Sequence, residues 1–348
     1  MTVTTLFIGD PHFQINNLTD IELFIPKISE LIKLKNPDFI VVAGDVLHTH
    51  ERLHTTVLNK AYEFIHSLRK LKKTYILVGN HDYISNTQFL SENHWMNSMK
   101  EWENVEVIDK VKVEKINGCL FTFVPYVYPG RFKEALSTVD LELCLSSECI
   151  FAHQEFKGCK MGAIVSEDGD VWDESDPYVV SGHIHSKQSP QHNVYYPGTP
   201  MQIAFGESEN NIVPFISFSN DTHSVEEIKL NLPGKKIVYM DVENIGGFDE
   251  NTGDDKVRIT LSGSYEQFKS VKKTKKYKDL VSKGVKVVFK PDKEDVSGKI
   301  NKHRDIEASD FSKILLDIVN DQKNPYILQA YDKIIYGKET KTEDIFFL

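Results

Sequence analysis

The sequence lacks the features that mark membrane, secreted and nucleotide-driven proteins. No apolar run is long enough to cross a bilayer, and the amino-terminal residues have the pattern of a strand and not of an export signal. The few cysteines form no Cys-x-x-Cys pair, which predicts reduced thiols in a cytoplasmic protein; they are Cys119, Cys144, Cys149 and Cys159. No phosphate-cradling glycine loop is present, so any dependence on ATP would have to come from a partner.

Positive charge is also scarce. The 348 residues carry 41 Lys+Arg against 51 Asp+Glu, a net charge of -10, whereas most nucleic-acid-binding proteins have a basic surface. The acidity is concentrated in residues 1–233, which hold 19 basic and 31 acidic side chains, while residues 234–348 hold 22 and 20. The later part contains a lysine run that could contact phosphates or form one solvated helix: Lys269, Lys272, Lys273, Lys275, Lys276 and Lys278.

What the sequence does contain is a series of metal-ligand residue types, each at the end of an apolar, strand-like run. The series is Asp10-Pro11-His12, Gly44-Asp45, Gly79-Asn80-His81-Asp82, His153 and Gly182-His183-Ile184-His185. In open α/β folds, ligands bind at the carboxyl edge of the sheet. Five such motifs at successive strand ends therefore predict an α/β fold with one metal-binding crevice at that edge.

The predicted ligand set is too large for one tetrahedral zinc ion. It suits two five- or six-coordinate ions bridged by a carboxylate, for which Asp45 is the natural candidate. Mixed oxygen and imidazole ligands without thiolate favour manganese, iron or zinc in a catalytic site. Two ions roughly 4 Å apart can clamp the attacking and leaving oxygens of a phosphoryl displacement, so the predicted reaction is phosphoester hydrolysis. The ligands are Asp10, His12, Asp45, Asn80, His153, His183 and His185.

His81 is not among the predicted metal ligands. An imidazole beside a ligand, on the same loop, is placed to act as a general acid or to stabilise charge on the phosphate, and Asp82 could orient it as a hydrogen-bond acceptor. The alternative for a single histidine of this kind is a solvated loop residue.

Together these motifs resemble the five signature motifs of the calcineurin-like metallophosphoesterases. Gly44-Asp45-Val46-Leu47-His48 is similar to the Gly-Asp-x-x-His of the SbcD-type nucleases, the DNA double-strand-break repair subunits known in eukaryotes as meiotic recombination eleven. Tyr196-Pro197-Gly198-Thr199-Pro200, followed by Phe205-Gly206-Glu207, also resembles SbcD proteins, including short phage relatives. The resemblance covers about residues 1–230, and one departure is that no glycine precedes His153 nearby.

The resemblance implies a role for each motif residue. Asp10, His12, Asp45 and His185 would bind the first ion, and Asp45, Asn80, His153 and His183 the second. His81 would be the catalytic histidine, and His48 would lie near the substrate unless it is a surface residue of a first helical turn. The two ions would be Mn²⁺, with Mg²⁺ as the alternative.

The resemblance also implies a function. The chain would cut DNA as an exonuclease and endonuclease, as a homodimer in complex with an SbcC-type coiled-coil ATPase, in the cytoplasm or, for a viral protein, in that of the host. A non-nucleolytic scaffold of the same fold and a phosphodiesterase or phosphatase acting on small molecules are the alternatives.

Periodicity predicts the organisation of the chain. Apolar residues at helical spacing predict helices at Leu18–Leu34 and Val57–Leu71, which alternate with the motif-bearing strands in a layered metallophosphoesterase core at 1–232. After the turn pair Pro233-Gly234, a small α+β capping domain is expected at 233–291. Its predicted elements are strands Lys236–Val242, Lys256–Leu261 and Val285–Phe289 and one helix, Tyr265–Ser282, whose Lys272, Lys273, Lys275 and Lys276 would contact DNA.

Two further segments suggest interaction surfaces. The aromatic stretch from Phe89 to Trp102 is expected on a helix, either at a dimer interface or in the core. A linker at 292–308 and a helical pair at 309–348 follow the capping domain, and the apolar faces of the pair would dock on the ATPase partner or pack back on the chain itself. Those faces include Phe311, Ile314, Leu315, Ile318, Leu328 and Tyr331.

Overall fold

The computed structural model describes residues 2–50, 52–219, 222–249, 251 and 253–292, together with residues 315, 316, 318–320, 327 and 331. Beyond Asp292, the predicted linker and most of the predicted C-terminal pair lie outside the described residues; the residues described there are helical. The chain divides into two compact units, one formed by Met1–Ile237 with Asn251–Arg258 and the other by Val238–Glu250 with Ile259–Leu348. Within the described ranges, no helix is long and apolar enough to span a membrane.

Two six-stranded sheets form the first unit. The first sheet contains β1 (Val3–Ile8), β2 (Phe39–Val42), β3 (Lys73–Leu77), β4 (Val105–Ile108), β13 (Val213–Ser219) and β14 (Thr222–Ile228). The second contains β5 (Lys112–Ile116), β6 (Cys119–Val124), β7 (Cys149–His153), β10 (Val179–Gly182), β11 (Gln188–Gln191) and β12 (Val194–Tyr196), while β8 (Lys160–Met161) and β9 (Ile164–Val165) form a separate hairpin. The strand orders are β14-β13-β1-β2-β3-β4 and β11-β12-β10-β7-β6-β5.

The central strands of both sheets are parallel, and this aligns the motifs. In the first sheet, Ile8 pairs with Val42 and Val42 with Ile76, so β1, β2 and β3 end along one edge. In the second sheet, Gly182 at the end of β10 pairs with His153 at the end of β7. The outer pairs β1–β13, β13–β14, β5–β6 and β11–β12 are antiparallel. Each motif therefore begins where a central parallel strand stops.

Helices cover the outer faces of the two sheets, and aromatic side chains fill the space between them. Helices α1 (Leu18–Lys35) and α2 (Thr55–Arg69) pack on the first sheet, and α3 (Phe132–Leu136) and α4 (Leu141–Leu145) pack on the second. Between the sheets, Phe39 contacts Phe121 with ring centroids 5.3 Å apart, and Tyr75 stacks on Phe123 at 4.3 Å. The predicted layered α/β fold is confirmed.

Helix α1 shows why the periodic pattern was informative. Its buried residues Ile21, Phe24, Ile28 and Ile32 recur every three or four positions, which places them on the face that meets the first sheet. The helix ends at Lys35 and is capped by Asn36, whose backbone is left-handed (φ 48°) and whose N–H donates to the Ile32 carbonyl.

After Pro233 the chain forms a small three-stranded sheet with two helices, most of which belongs to the second unit. Strands β15 (Lys235–Asp241), β16 (Lys256–Gly263) and β17 (Lys286–Pro291) lie in that order, with a 3₁₀ segment at Val242–Gly247. The prediction of one helix at Tyr265–Ser282 is wrong, because the structure has α5 (Tyr265–Val271) and α6 (Lys275–Ser282). The break occurs at Thr274, whose side chain accepts from the Tyr277 N–H and begins a new helix.

The helix predicted through the aromatic stretch is also wrong. Between Phe89 and Trp102, the regular structure is a single 3₁₀ segment, Asn97–Glu101, and a bridge pairs Tyr83 with His94. Met96 and Met99 are buried in the core beneath α1 and α2, and Trp95 packs against it. Tertiary contacts therefore determine the course of this segment. Its part in a dimer interface stays a prediction.

Candidate metal centre

The seven predicted ligands lie together at the carboxyl edges of the two sheets. Asp10, Asp45 and Asn80 follow β1, β2 and β3 of the first sheet, whereas His153 ends β7 and His183 follows β10 of the second. Five of the seven are buried, and His183 and His185 are partly exposed. The crevice is thus formed by both sheets.

One group of side chains converges on the Asn80 carboxamide. The Asn80 Oδ1 atom lies 3.0 Å from His153 Nε2 and 2.9 Å from His183 Nδ1. His153 Nε2 is also 3.5 Å from Asp45 Oδ2. These four residues are the set predicted for the second ion.

A second group surrounds His12. Its Nε2 atom lies 2.9 Å from His185 Nε2 and 3.5 Å from Asp45 Oδ2. Asp10 is held nearby, since its Oδ2 accepts from the His183 N–H at 2.8 Å. Asp45 Oδ2 is therefore equally distant from an imidazole nitrogen of each group, which is the position that a bridging carboxylate would occupy.

The arrangement fits divalent cations. The Oδ1 atom of Asp10 is buried without a hydrogen-bond partner, 3.4 Å from His153 Nδ1, and a bound cation would balance its charge. The Nε2 atoms of His12 and His185 face each other 2.9 Å apart, so both could bind the same metal ion. Oxygen and imidazole donors without thiolate are the ligands expected for manganese, iron or zinc.

The backbone around the ligands is strained in a way that holds them. The φ angles of His12, Asp45 and His183 are 45°, 46° and 80°, in the left-handed region that residues other than glycine rarely adopt. Glycines allow close packing beside them: a Cβ on Gly79 would lie 2.2 Å from Asp45 Oδ1, and one on Gly182 would lie 2.5 Å from Asp10 Oδ1. The glycines of these two motifs therefore make room for the ligands.

Residues 3–187 match the family model described as calcineurin-like phosphoesterase. The chain belongs to this family. It is 49% identical over 276 residues to protein 244L of Invertebrate iridescent virus 6, named a phosphoesterase, covering 78% of this chain and 97% of the viral protein. It is 47% identical over 292 residues to phosphoesterase 078R of Invertebrate iridescent virus 3, covering 83% of this chain and 84% of that protein.

A more distant relative is named as a nuclease. Exonuclease subunit 1 of Enterobacteria phage T4 is 26% identical over 215 residues, which cover 58% of this chain and 61% of the phage protein.

Three of the crevice histidines in this phosphoesterase direct their outer ring nitrogen at a carbonyl or carboxylate oxygen. His153 Nδ1 lies 2.8 Å from the Ala43 carbonyl, to which it can donate, and this leaves Nε2 towards the crevice. His185 Nδ1 lies 3.3 Å from Glu207 Oε1, and His183 Nε2 is 3.8 Å from Glu155 Oε2. Such outer contacts fix the tautomer and ring orientation of a metal-binding histidine. Sequence reasoning assigned no role to Glu155 or Glu207.

Burial and charge act in opposite directions on the titrating groups. Burial raises the pKa of Asp10 and lowers that of His12. Burial opposes the charged form of Asp45. Even so, the neighbouring imidazoles, chiefly that of His153, lower the pKa of Asp45. Burial likewise opposes the charged form of His153, but the negative charges of Asp45 and Asp10 raise its pKa to about 9. In the metal-free protein, His153 and Asp45 therefore form a buried ion pair.

His81 lies at the rim of the crevice between two other histidines. Its backbone N–H donates to Asp45 Oδ1 at 2.7 Å, and its Nδ1 lies 2.7 Å from the His48 carbonyl. The His81 ring is nearly parallel to the rings of His48 and His50, with centroids 5.6 Å and 4.5 Å away. His48 also approaches the crevice directly, with its Nδ1 3.4 Å from His12 Nδ1. His50 was not predicted from the sequence.

The prediction that Asp82 orients His81 is wrong. Asp82 is buried, its Oδ2 accepts from the Gly79 N–H at 3.0 Å, and its Oδ1 accepts from Trp95 Nε1 at 2.8 Å. The Asp82 N–H also donates to the Gly79 carbonyl, so the tight turn directs the carboxyl group into the protein. Burial and the charge of Asp45 raise the pKa of Asp82 to about 7. Asp82 shapes the loop that carries Asn80.

The lysines predicted to contact DNA lie in the second unit. Lys272, Lys273 and Lys275 are exposed around the break between α5 and α6, whereas Lys276 is partly buried and donates to the Phe248 carbonyl at 3.2 Å. Their contact with DNA stays a prediction.

Proposed function

We propose that this phosphoesterase hydrolyses DNA phosphodiester bonds, as an exonuclease and endonuclease, with two divalent metal ions. The observation that carries the proposal is the shared Asp45 carboxylate, whose Oδ2 lies 3.5 Å from a nitrogen of each ligand group. DNA as the substrate is supported by the similarity to a phage exonuclease subunit and by the Gly44-to-His48 motif.

Each residue of the site would have a distinct role in binding metal or in catalysis. Asp10, His12, Asp45 and His185 would hold one ion, and Asp45, Asn80, His153 and His183 the other. When bound, the ions would activate a water and stabilise negative charge on the phosphate. His81 would act as general acid through Nε2, because its Nδ1 is engaged by the His48 carbonyl. The donors are mixed oxygen and imidazole without thiolate, and the metal we propose is Mn²⁺, with Mg²⁺ as the alternative.

The proposal includes partners and a location. The chain would act as a homodimer with an SbcC-type coiled-coil ATPase in the cytoplasm of an infected host cell, since both similar phosphoesterases come from viruses.

Among the described tail residues, Ile318 and Ile327 are exposed while Val319 and Tyr331 are buried. We expect deletion of residues 309–336 to abolish co-purification with such an ATPase and to preserve manganese-dependent cleavage of short DNA. A truncated protein that precipitates would show instead that the tail completes the chain's own core.

The second candidate is a phosphodiesterase or phosphatase acting on small molecules. The 31 acidic and 19 basic side chains of residues 1–233 favour it, because an acidic surface repels a polyanion more strongly than a small ester. A non-nucleolytic scaffold is less well supported, since all seven ligand positions are filled and converge.

One assay separates these functions. Labelled single- and double-stranded DNA and bis-p-nitrophenyl phosphate are each incubated with the protein and manganese, magnesium or a chelator. We expect manganese-dependent cleavage of DNA that the chelator abolishes, and the His81→Asn variant controls for contaminating nucleases. Hydrolysis of the small ester alone would favour the second candidate, and no hydrolysis of either substrate would favour a scaffold.

A further inference from the structure

The loop after the last ligand motif places a carboxylate behind His185. Glu207 Oε2 accepts from the backbone N–H groups of Ile203 and Ala204, at 2.7 Å and 2.9 Å. Its Oε1 remains directed at His185 Nδ1, 3.3 Å away. Two amides thus fix one oxygen of the carboxylate, and the other oxygen faces the outer nitrogen of a crevice histidine.

The loop that carries Glu207 is itself anchored in buried structure. Gln202 Nε2 donates to the Glu207 carbonyl at 3.0 Å, and Gln202 Oε1 accepts from the Lys235 N–H. Lys235 Nζ in turn pairs with Asp20 on α1 at 3.0 Å, and both side chains are less than 10% exposed. The position of Glu207 therefore depends on the core of the first unit and not on a free surface loop.

His185 needs such support more than the other ligands do. Its side chain is 37% exposed, whereas His153 is fully buried and its Nδ1 is engaged by a backbone carbonyl. An imidazole that packing does not restrain can rotate about its side-chain torsions or exchange its ring proton between the two nitrogens. Rotation would move Nε2 from its place opposite His12 Nε2, and proton exchange would put a hydrogen on Nε2 and leave it without a free lone pair for a metal ion.

We propose that Glu207 is a positioning residue that fixes the Nδ1–H tautomer and the ring orientation of His185, so that Nε2 is presented to the first metal ion. The inference rests on the proposed role of His185 as a ligand, and it does not depend on whether the substrate is DNA. Carboxylates in this position commonly change metal affinity by about 10- to 100-fold.

The test is calorimetric titration of the full-length, metal-free protein with Mn²⁺. We expect Glu207→Gln to weaken the first site by about 10- to 100-fold and to leave the second site within a few-fold of wild type. Glu209→Gln is the matched control, because it removes the same charge two residues away from an exposed position. Long-range ¹H–¹⁵N spectra of histidine-labelled, metal-free protein above pH 9 should show His185 as the Nδ1–H tautomer in wild type and as a mixture in Glu207→Gln.

Two more variants separate the possible failures. Glu207→Asp retains an acceptor for the two amides but shortens the reach to His185 by one methylene. We expect it to weaken the first site as Glu207→Gln does, and it replaces that variant in the test if Glu207→Gln folds poorly. If His185→Ala does not weaken Mn²⁺ binding, the ligand assignment is wrong and this inference falls with it. If His185→Ala weakens binding while Glu207→Gln and Glu207→Asp leave both the affinity and the tautomer unchanged, the positioning role alone is refuted.

Discussion

Replacement of Asp45 by asparagine tests the two-metal interpretation with the least disturbance of the loops. The side chain keeps its shape, and Oδ1 can still accept the His81 N–H that it binds at 2.7 Å. What the variant removes is the negative charge and the Oδ2 lone pairs that lie 3.5 Å from both His12 Nε2 and His153 Nε2. A bridging role predicts that both ions are affected by this single change.

The expected loss follows from the separation of charges. Unit charges about 4 Å apart interact by about 4 kcal/mol at an effective dielectric constant of about 20. A loss of about 4 kcal/mol corresponds to Mn²⁺ binding about 10³-fold weaker. We expect hydrolysis to fall by at least the same factor, because the ions supply several kcal/mol of transition-state stabilisation.

Elemental analysis of protein dialysed against micromolar Mn²⁺ would measure the metal bound per chain. His183→Ala serves as the comparison, since it removes a ligand of one predicted ion only. Two ions per chain in Asp45→Asn, as in wild type, would refute the bridge, and loss of a single ion would assign Asp45 to one site.

The remaining predictions concern His81, His153 and Gly79. His81→Asn should keep both ions and the melting temperature yet lower turnover by about 10²- to 10⁴-fold, and turnover within a few-fold of wild type would remove His81 from the chemistry. Because the pKa of His153 is raised to about 9, an ion must displace its proton, so Mn²⁺ affinity should fall as the pH falls from 9 to 7. The raised pKa also stabilises the metal-free fold below about pH 6.5, and we expect urea denaturation to show this stability declining as the pH rises through 9. A flat profile in either experiment would contradict the His153–Asp45 ion pair. Gly79→Ala should destabilise the metal-free protein by about 1–3 kcal/mol in urea, because its Cβ would lie 2.4 Å from the Asp45 backbone nitrogen; an unchanged midpoint would show that the loop can shift freely.

The elements whose signal is local were predictable. The strands before Asp10, Asp45 and Asn80 are buried runs with helices between them, and period 3.6 in α1 and α2 marks the faces that pack on the first sheet. The sequence also indicated which side chains would meet, because parallel strands end at one edge. The metal-binding and catalytic roles of those residues stay predictions.

The features that depend on distant contacts were missed. Trp95 bonds to Asp82, so the aromatic stretch follows the turn instead of forming a helix, and Asp82 is directed away from His81. Glu155 and Glu207 reach the crevice histidines from loops whose course no periodic pattern specifies. The break before α6 had a local signal in Thr274, a good N-terminal cap inside an otherwise helical run.

The origin of the ligands in two different sheets has a consequence for the lifetime of the protein. Asp10, Asp45 and Asn80 belong to one layer and His153 and His183 to the other, so bound ions would join the two layers at an edge where they could otherwise separate. Metal at about 100 times its dissociation constant would add about 2.7 kcal/mol of stability per site. Proteases would then digest the metal-free chain far faster than the loaded one, and the supply of metal would set how long the protein survives as well as how fast it works.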